Sequence, residues 1–383
     1  LLLPRKISRM SDQQAGSGGR RRILALDGGG VRGVFTIEIL ARMQELLRRH
    51  YDNPELRLCD HFQFIAGTSA GAIIASLLAW GHDIEFVRRS YAESCADIFP
   101  PFALWRFWKM GHFLRALYES DKLSRRLMEL FHDEDTGETA LLNSRRLRGT
   151  LLICMRNSST GSAWPVTNNP RAIFNQHHLP GSNFRLPLWQ LLRASSAAPV
   201  YFLPQKIAMG SESFDFVDGG VTPYNNPALI AALVATLPSY RLEWPGGPDK
   251  LLVVSVGSGR VRSVLKDSSL LRSNIGTHLL HVPAGLMESI SLQQDFLCRV
   301  MGQCLFGDAI DAEVGDLIEP ALESAGAGKK FAYVRYDHRF SSDELAESAG
   351  LGPMNLSNTR MMPFLAKVGA AYAEKNVQLE HLL

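Results

Sequence analysis

Residues 62–80 read FQFIAGTSAGAIIASLLAW. The first five are apolar and too few for a helix, so the pattern predicts a buried strand. GTSAG at 67–71 is a turn of small residues. AIIASLLAW at 72–80 is apolar and predicts a buried helix stopped by Gly81. The same order stands just upstream. Ile23–Leu26 is a short apolar run and DGGGVRG follows at 27–33. VFTIEILARMQELLRRH then places Phe35, Ile39, Met43, Leu46 and Leu47 at helical spacing. Further strands are predicted at LLICM (151–155), FDFV (214–217) and LLVVSVG (251–257), with helical patterns at 187–196 and 226–237. Strands alternating with helices predict an α/β protein whose mostly parallel sheet carries helices on both faces. No internal repeat is visible and no linker divides the chain after residue 20. The expectation is a flexible lead-in over 1–20 and one domain over 21–383 that ends in a helical region.

The totals exclude several classes. The chain has 383 residues, 46% of them apolar and 21% charged, the balance of a globular protein. A net charge of +3 is too small a surplus for a nucleic-acid binder. The five cysteines are Cys59, Cys95, Cys154, Cys298 and Cys304. Their odd number and the absence of C-x-x-C spacing give neither a disulfide framework nor a zinc site. No metal and no cofactor are expected. The longest apolar runs fall short of the ~18 residues that span a bilayer, and LLLPRKISRM is no signal peptide. A cytoplasmic protein is expected, with peripheral contact at the inner membrane face.

Gly28-x-Gly30-x-x-Gly33 satisfies the pattern of a dinucleotide-binding turn. That reading also needs an acidic residue ~20 positions later at the end of the next strand. Asp52 and Glu55 have the spacing but lie in the polar loop YDNPELR, and the second strand ends in GTSAG instead. The context for a dinucleotide is missing.

GTSAG matches G-x-S-x-G, the nucleophile elbow, in which a serine stands clear of the sheet on a sharp strand-to-helix turn. Gly67 and Gly71 leave room for the chain to pass close to itself, and the helix N-terminus faces the reacting centre. A serine nucleophile needs a base. His61 lies roughly 25 Å back along the strand and His82 roughly 20 Å away past the helix, so neither reaches Ser69. His177 and His178 sit in a polar loop, and no motif marks His278, His281 or His338. Asp218 is better placed, directly after a buried strand in a DGG turn with Gly219 and Gly220. Strand ends of a parallel sheet share one edge, so Asp218, Ser69 and the glycine turn converge. Asp215 points into the strand and is the weaker candidate.

DGGGVRG at 27–33, GTSAG at 67–71 and DGG at 218–220, in that order, resemble the patatin-like phospholipases. ASSAAPVYF at 194–202 and TPYNNPA after the DGG agree. The resemblance runs from about residue 22 to 240 and more weakly beyond. It implies a three-layer α/β/α fold and a Ser69–Asp218 dyad without a catalytic histidine. It also implies an oxyanion hole made by the N–H groups of Gly28, Gly29 and Gly30. Arg32 matches the basic position of the motif and would hold the loop or steer a phosphate. Asp27 is expected to satisfy the N–H groups of the turn. The implied activity is hydrolysis of carboxylic esters in phospholipids or other lipids through an acyl-enzyme. The same residues serve acyl transfer to an alcohol, and a non-catalytic lipid-binding protein could share the fold. Some bacterial relatives are antiviral effectors switched on by cyclic nucleotides, although no residues here mark such a site.

The most aromatic stretch is IFPPFALWRFWKMGHFLRALY at 98–118. Trp105, Phe107 and Trp108 interleave with Arg106 and Lys109, which suits either a lipid headgroup interface or a cap over the core. A homo-oligomer contact through this stretch is the remaining reading.

Overall fold

The computed structural model describes residues 19–99, 118–133, 137–261, 275–318 and 328–383. Residues 1–18 and the segment holding Trp105, Phe107 and Trp108 lie outside the described residues. Strand β1 (Arg21–Leu26) leads through the glycine turn into α1 (Gly33–His50), and β2 (Phe64–Thr68) leads through Ser69 into α2 (Ala70–Ala79). Two helices follow, α3 (Ile84–Ile98) and α4 (Ser120–Leu130). The hairpin of β3 (Thr150–Asn157) and β4 (Ala163–Thr167) precedes α5 (Leu188–Ser195). A second hairpin, β5 (Gln205–Met209) and β6 (Glu212–Asp218), precedes α6 (Ala228–Thr236). The chain then adds β7 (Leu251–Val256), α7 (Ile275–Met301), β8 (Gln303–Phe306), β9 (Ala332–Tyr336) and α8 (Met362–Asn376).

The main sheet runs β8-β9-β7-β1-β2-β3-β6-β5, with β4 on the other edge of β3. Pairing is parallel from β8 through β3 and antiparallel among β3, β4, β5 and β6. Strand alternation builds two cores. Leu24, Leu26, Ile65 and Val254 face a layer that includes α1, α2, α5 and α8, whereas Ile23, Ala25, Phe64, Val253 and Tyr333 face α6 and α7. Burial on both faces is why these strands read as continuous apolar runs. The result is a three-layer α/β/α arrangement. Beyond the predicted strand at 251–257, the C-terminal part, expected to end in a helical region, supplies two further strands, β8 and β9, to the sheet.

One expectation about the sheet is corrected. Asp218 does not close a strand parallel to β2. It closes β6, which runs antiparallel to β3. Thr68 pairs with Cys154, and the next residue of β3, Met155, pairs with Asp218. Because β4 occupies the opposite edge over this stretch, β2 and β6 share one edge of β3 and meet end to end. Ser69, the first residue past β2, therefore arrives where β6 ends.

Candidate active site

Ser69 has φ +53° and ψ −124°, a conformation rare for a residue with a side chain. The elbow is held from several sides. The Ser69 N–H donates to Ser195 Oγ at 2.8 Å, and the Ser195 hydroxyl donates to the Cys154 carbonyl at 2.6 Å. A side chain at Gly67 would enter the backbone of Gly71, and one at Gly71 would enter the carbonyls of Leu26 and Asp27. Glycine at 71 thus lets the first turn of α2 lie against the end of β1, which brings Ser69 beside the glycine turn.

The Ser69 hydroxyl donates to Asp218 Oδ2 at 2.7 Å. The other carboxylate oxygen accepts the Gly220 N–H at 2.7 Å, and the Asp218 N–H donates to the Ala197 carbonyl at 3.0 Å. Gly219 packs on the Cys154 carbonyl, where a Cβ would collide. Ser69 and Asp218 are both buried. Burial pushes the Asp218 carboxyl up to about 7, against the opposing pull of the Ser69 and Gly220 hydrogen bonds and the Arg193 charge. Arg193 is itself buried, donates to Ser120 Oγ and the Leu203 carbonyl, and lies over the Phe202 ring.

No imidazole competes for the role of base among the described side chains. His61 bonds the Leu382 carbonyl, His82 stacks on Phe86, His177 lies against Phe184, His338 pairs with Glu344 and His381 meets Tyr336. The side chains of His278 and His281 lie outside the described part.

The glycine turn differs from the motif reading in one donor. The Gly28 N–H donates to the Asn225 carbonyl at 3.1 Å, so it is not available to an oxyanion. The N–H groups of Gly29 and Gly30 donate to no group among the described residues, and both glycines line the cleft beside Ser69. Gly30 has φ +55° and its carbonyl accepts the Tyr91 hydroxyl at 2.6 Å. Gly33 packs against the same tyrosine. Arg32 donates to the Gly259 carbonyl at 2.9 Å and so ties the turn to the loop after β7. Asp27 does not serve the N–H groups of its own turn. Its carboxylate pairs with Arg335 at 2.7 and 2.8 Å.

The cleft beyond Ser69 is narrow, with a free volume of about 60 Å³. Ile73, Cys95, Ile98, Leu123, Leu127 and Phe202 make its wall apolar. Ser195, Arg193, Asn225 and Arg335 were not singled out from the sequence. Ser195 stands in the ASSAAP block and Asn225 in the PYNNP block, so their neighbourhoods were visible although their roles were not.

A family model of patatin-like phospholipases matches residues 24–232. The chain belongs to that family. Among curated relatives, the cGAMP-activated phospholipase of Escherichia coli (strain TW11681) is 34% identical over 230 residues, 58% of each chain. The cGAMP-activated phospholipase of Vibrio cholerae is 32% identical over 55% of this chain and 56% of its own. Calcium-independent phospholipase A2-gamma of Mus musculus is 30% identical over 66% of this chain and 30% of that protein. The chain thus spans a little over half the length of the two bacterial relatives. VipD from Legionella pneumophila superposes with a TM-score of 0.34 at 12% identity, over 91% of this chain and 67% of VipD. A likeness at that TM-score carries no weight. No helix among the described residues is long and apolar enough to cross a membrane.

Proposed function

We propose that the protein is a lipid acyl hydrolase of the phospholipase A or lysophospholipase type, with Ser69 as nucleophile and Asp218 as general base. The observation that carries this reading is the 2.7 Å contact of Ser69 Oγ with a buried carboxylate at the head of an apolar cleft. The cleft suits an acyl chain, and the family supplies the lipid ester class.

In the reaction, Asp218 takes the Ser69 proton as Oγ attacks the ester carbonyl carbon. The Gly29 and Gly30 N–H groups receive the developing oxyanion, each such donor being worth about 2.7–4 kcal/mol of barrier. The amino end of α2 adds a favourable field. Collapse of the tetrahedral intermediate expels the lyso-lipid or alcohol, which takes the proton from Asp218. Water, deprotonated by the same carboxylate, then releases the fatty acid and restores Ser69. A base whose pKa lies near 7 is suited to this shuttle at neutral pH.

Two relatives carry cGAMP activation in their names, and the reading extends to a cyclic dinucleotide that switches this enzyme on. Lipid contact through Trp105, Phe107 and Trp108 belongs to the same reading. Phe99 and Tyr118, which flank that segment, pack their rings at a tilt against Phe202 at the cleft wall.

The test is incubation of the purified chain with a mixed phospholipid panel, with and without cyclic dinucleotides, followed by mass spectrometry of the products. A fluorophosphonate probe should label Ser69. Fatty acid release and labelling should both vanish in Ser69→Ala, and wild-type rates in that variant refute the proposal.

A further inference from the structure

We infer that Arg335, from the last described segment of the chain, is the residue that positions the oxyanion turn. It lies outside the stretch matched by the family model. The inference rests on the reading of Ser69 as nucleophile and of Gly29 and Gly30 as oxyanion donors.

Register brings Arg335 to the turn. Arg335 on β9 pairs with Ser255 on β7, and Ser255 pairs with Ala25 on β1. Asp27 is two residues past Ala25 and so projects to the same face. The Arg335 side chain crosses β7 along that face. Nη1 donates to Ser255 Oγ at 2.7 Å and to Asp27 Oδ1 at 2.8 Å, and Nη2 donates to Asp27 Oδ2 at 2.7 Å. This is a two-pronged contact that a lysine could not make.

The other end of the turn is tied to the same node. Arg335 Nη2 also donates to Asp337 Oδ2 at 2.9 Å, and Asp337 Oδ1 accepts the Gly259 N–H at 3.2 Å. The Gly259 carbonyl in turn accepts Arg32 Nη1. Arg260 Nε lies 3.2 Å from Asp337 Oδ2, so two buried carboxylates face two buried guanidinium groups. The turn from Asp27 to Arg32 is therefore fixed at both ends by one charged cluster, while the Gly28 and Val31 N–H groups are taken by Asn225 and Leu356 carbonyls. What is left over is the pair of N–H groups at Gly29 and Gly30.

A buried ion cluster is weak evidence for stability, because apolar residues of similar size often replace one without loss. Here it places donors. It also neutralises Asp27, whose unpaired charge would oppose negative charge developing two residues away. Both effects act on the transition state more than on ester binding, so loss of Arg335 should lower kcat and leave KM in place.

The experiment uses the full chain with a soluble p-nitrophenyl butyrate substrate. Arg335→Lys and the paired variant Asp27→Asn/Arg335→Met are compared with wild type for kcat, KM, fluorophosphonate labelling rate and melting temperature. The paired variant leaves no lone charge at position 27, which keeps the test open where Arg335→Met alone fails to fold. Expected is a fall in kcat of about 10²–10³ in the paired variant, the loss that follows removal of an oxyanion donor, with KM within twofold. Arg335→Lys should recover part of it. A folded paired variant or Arg335→Lys with wild-type kcat overturns the inference, as does a fall confined to melting temperature. If wild type itself neither hydrolyses ester nor takes the label, the reading of Ser69 fails instead.

Discussion

Replacing Asp218 with asparagine separates what this carboxyl costs the fold from what it does for the chemistry. Asparagine keeps the shape. Its Oδ1 can still accept the Gly220 N–H, and its Nδ2 takes the place of the oxygen now 2.7 Å from Ser69 Oγ. Only the charge goes. Burial raises the native carboxyl from 3.8 to about 7. A group whose folded pKa lies above its unfolded value binds the extra proton in the native state. Its penalty is therefore absent below about pH 4, grows as pH rises, and is complete above about pH 7. At 1.36 kcal/mol per pH unit the full penalty is roughly 4 kcal/mol, an upper limit because the unfolded chain is not fully solvated. Urea midpoints of wild type and Asp218→Asn at pH 4, 6 and 8 read it directly. The variant should match wild type at pH 4 and be more stable by about 2–4 kcal/mol at pH 8. Its ester hydrolysis at pH 8 should meanwhile fall by at least about 10². Equal stability at pH 8, or a gap that does not change with pH, refutes the argument that burial raises this carboxyl.

The kcat/KM of wild type on a soluble ester should rise tenfold per pH unit below the Asp218 pKa and level off above about pH 7. A profile flat from pH 5 to 8 would contradict a carboxylate base held near neutrality. Ser69→Gly and Ser69→Ala both lack the nucleophile, but only glycine accepts φ +53° without strain, so thermal unfolding should show Ser69→Gly more stable by about 1–2 kcal/mol. Equal melting temperatures would mean that the elbow stores no strain. Trp105→Ala/Trp108→Ala should float less with anionic liposomes while hydrolysing soluble ester at the wild-type rate. Unchanged flotation would assign the aromatic segment to the core.

Much of the site was legible because its parts are short and local. GTSAG between two apolar runs marks Ser69 as a candidate, and DGG after FDFV marks Asp218, since a turn at a strand end needs only a few neighbouring residues to declare itself; the structure places the two in contact. The direction of the second strand was not legible. FDFV has the composition of a buried strand in either orientation, and β5 before it reads QKIAM, too polar to announce a hairpin partner. The partners of the glycine turn were less visible still. Arg335 pairs with Asp27 across 308 positions of sequence, and within AYVRY it looks like the one polar residue of an ordinary strand. Asn225 acts on Gly28 through its backbone carbonyl, which no side-chain pattern can signal.

The meeting of β2 and β6 on one edge of β3 is what would let the two residues of the proposed dyad suffice where three are common. With Ser69 Oγ 2.7 Å from Asp218 Oδ2, no imidazole fits between them. In the proposed reaction the carboxylate is the base itself, and an ordinary carboxylate, with a pKa near 4, holds a serine proton too weakly to help. Enclosure between β3, the Gly219–Gly220 turn and the cleft raises it. Left alone, enclosure would overshoot and leave the carboxyl protonated at neutral pH. The hydrogen bonds from Ser69 and the Gly220 N–H, and then the buried Arg193 guanidinium, pull in the opposite direction, so that the group titrates where it can both accept and return a proton. In the proposed reaction the strand junction, the buried carboxyl and the groups bonded to it thus form one device: the first sets the distance, the second the basicity, and the third the limit on that basicity.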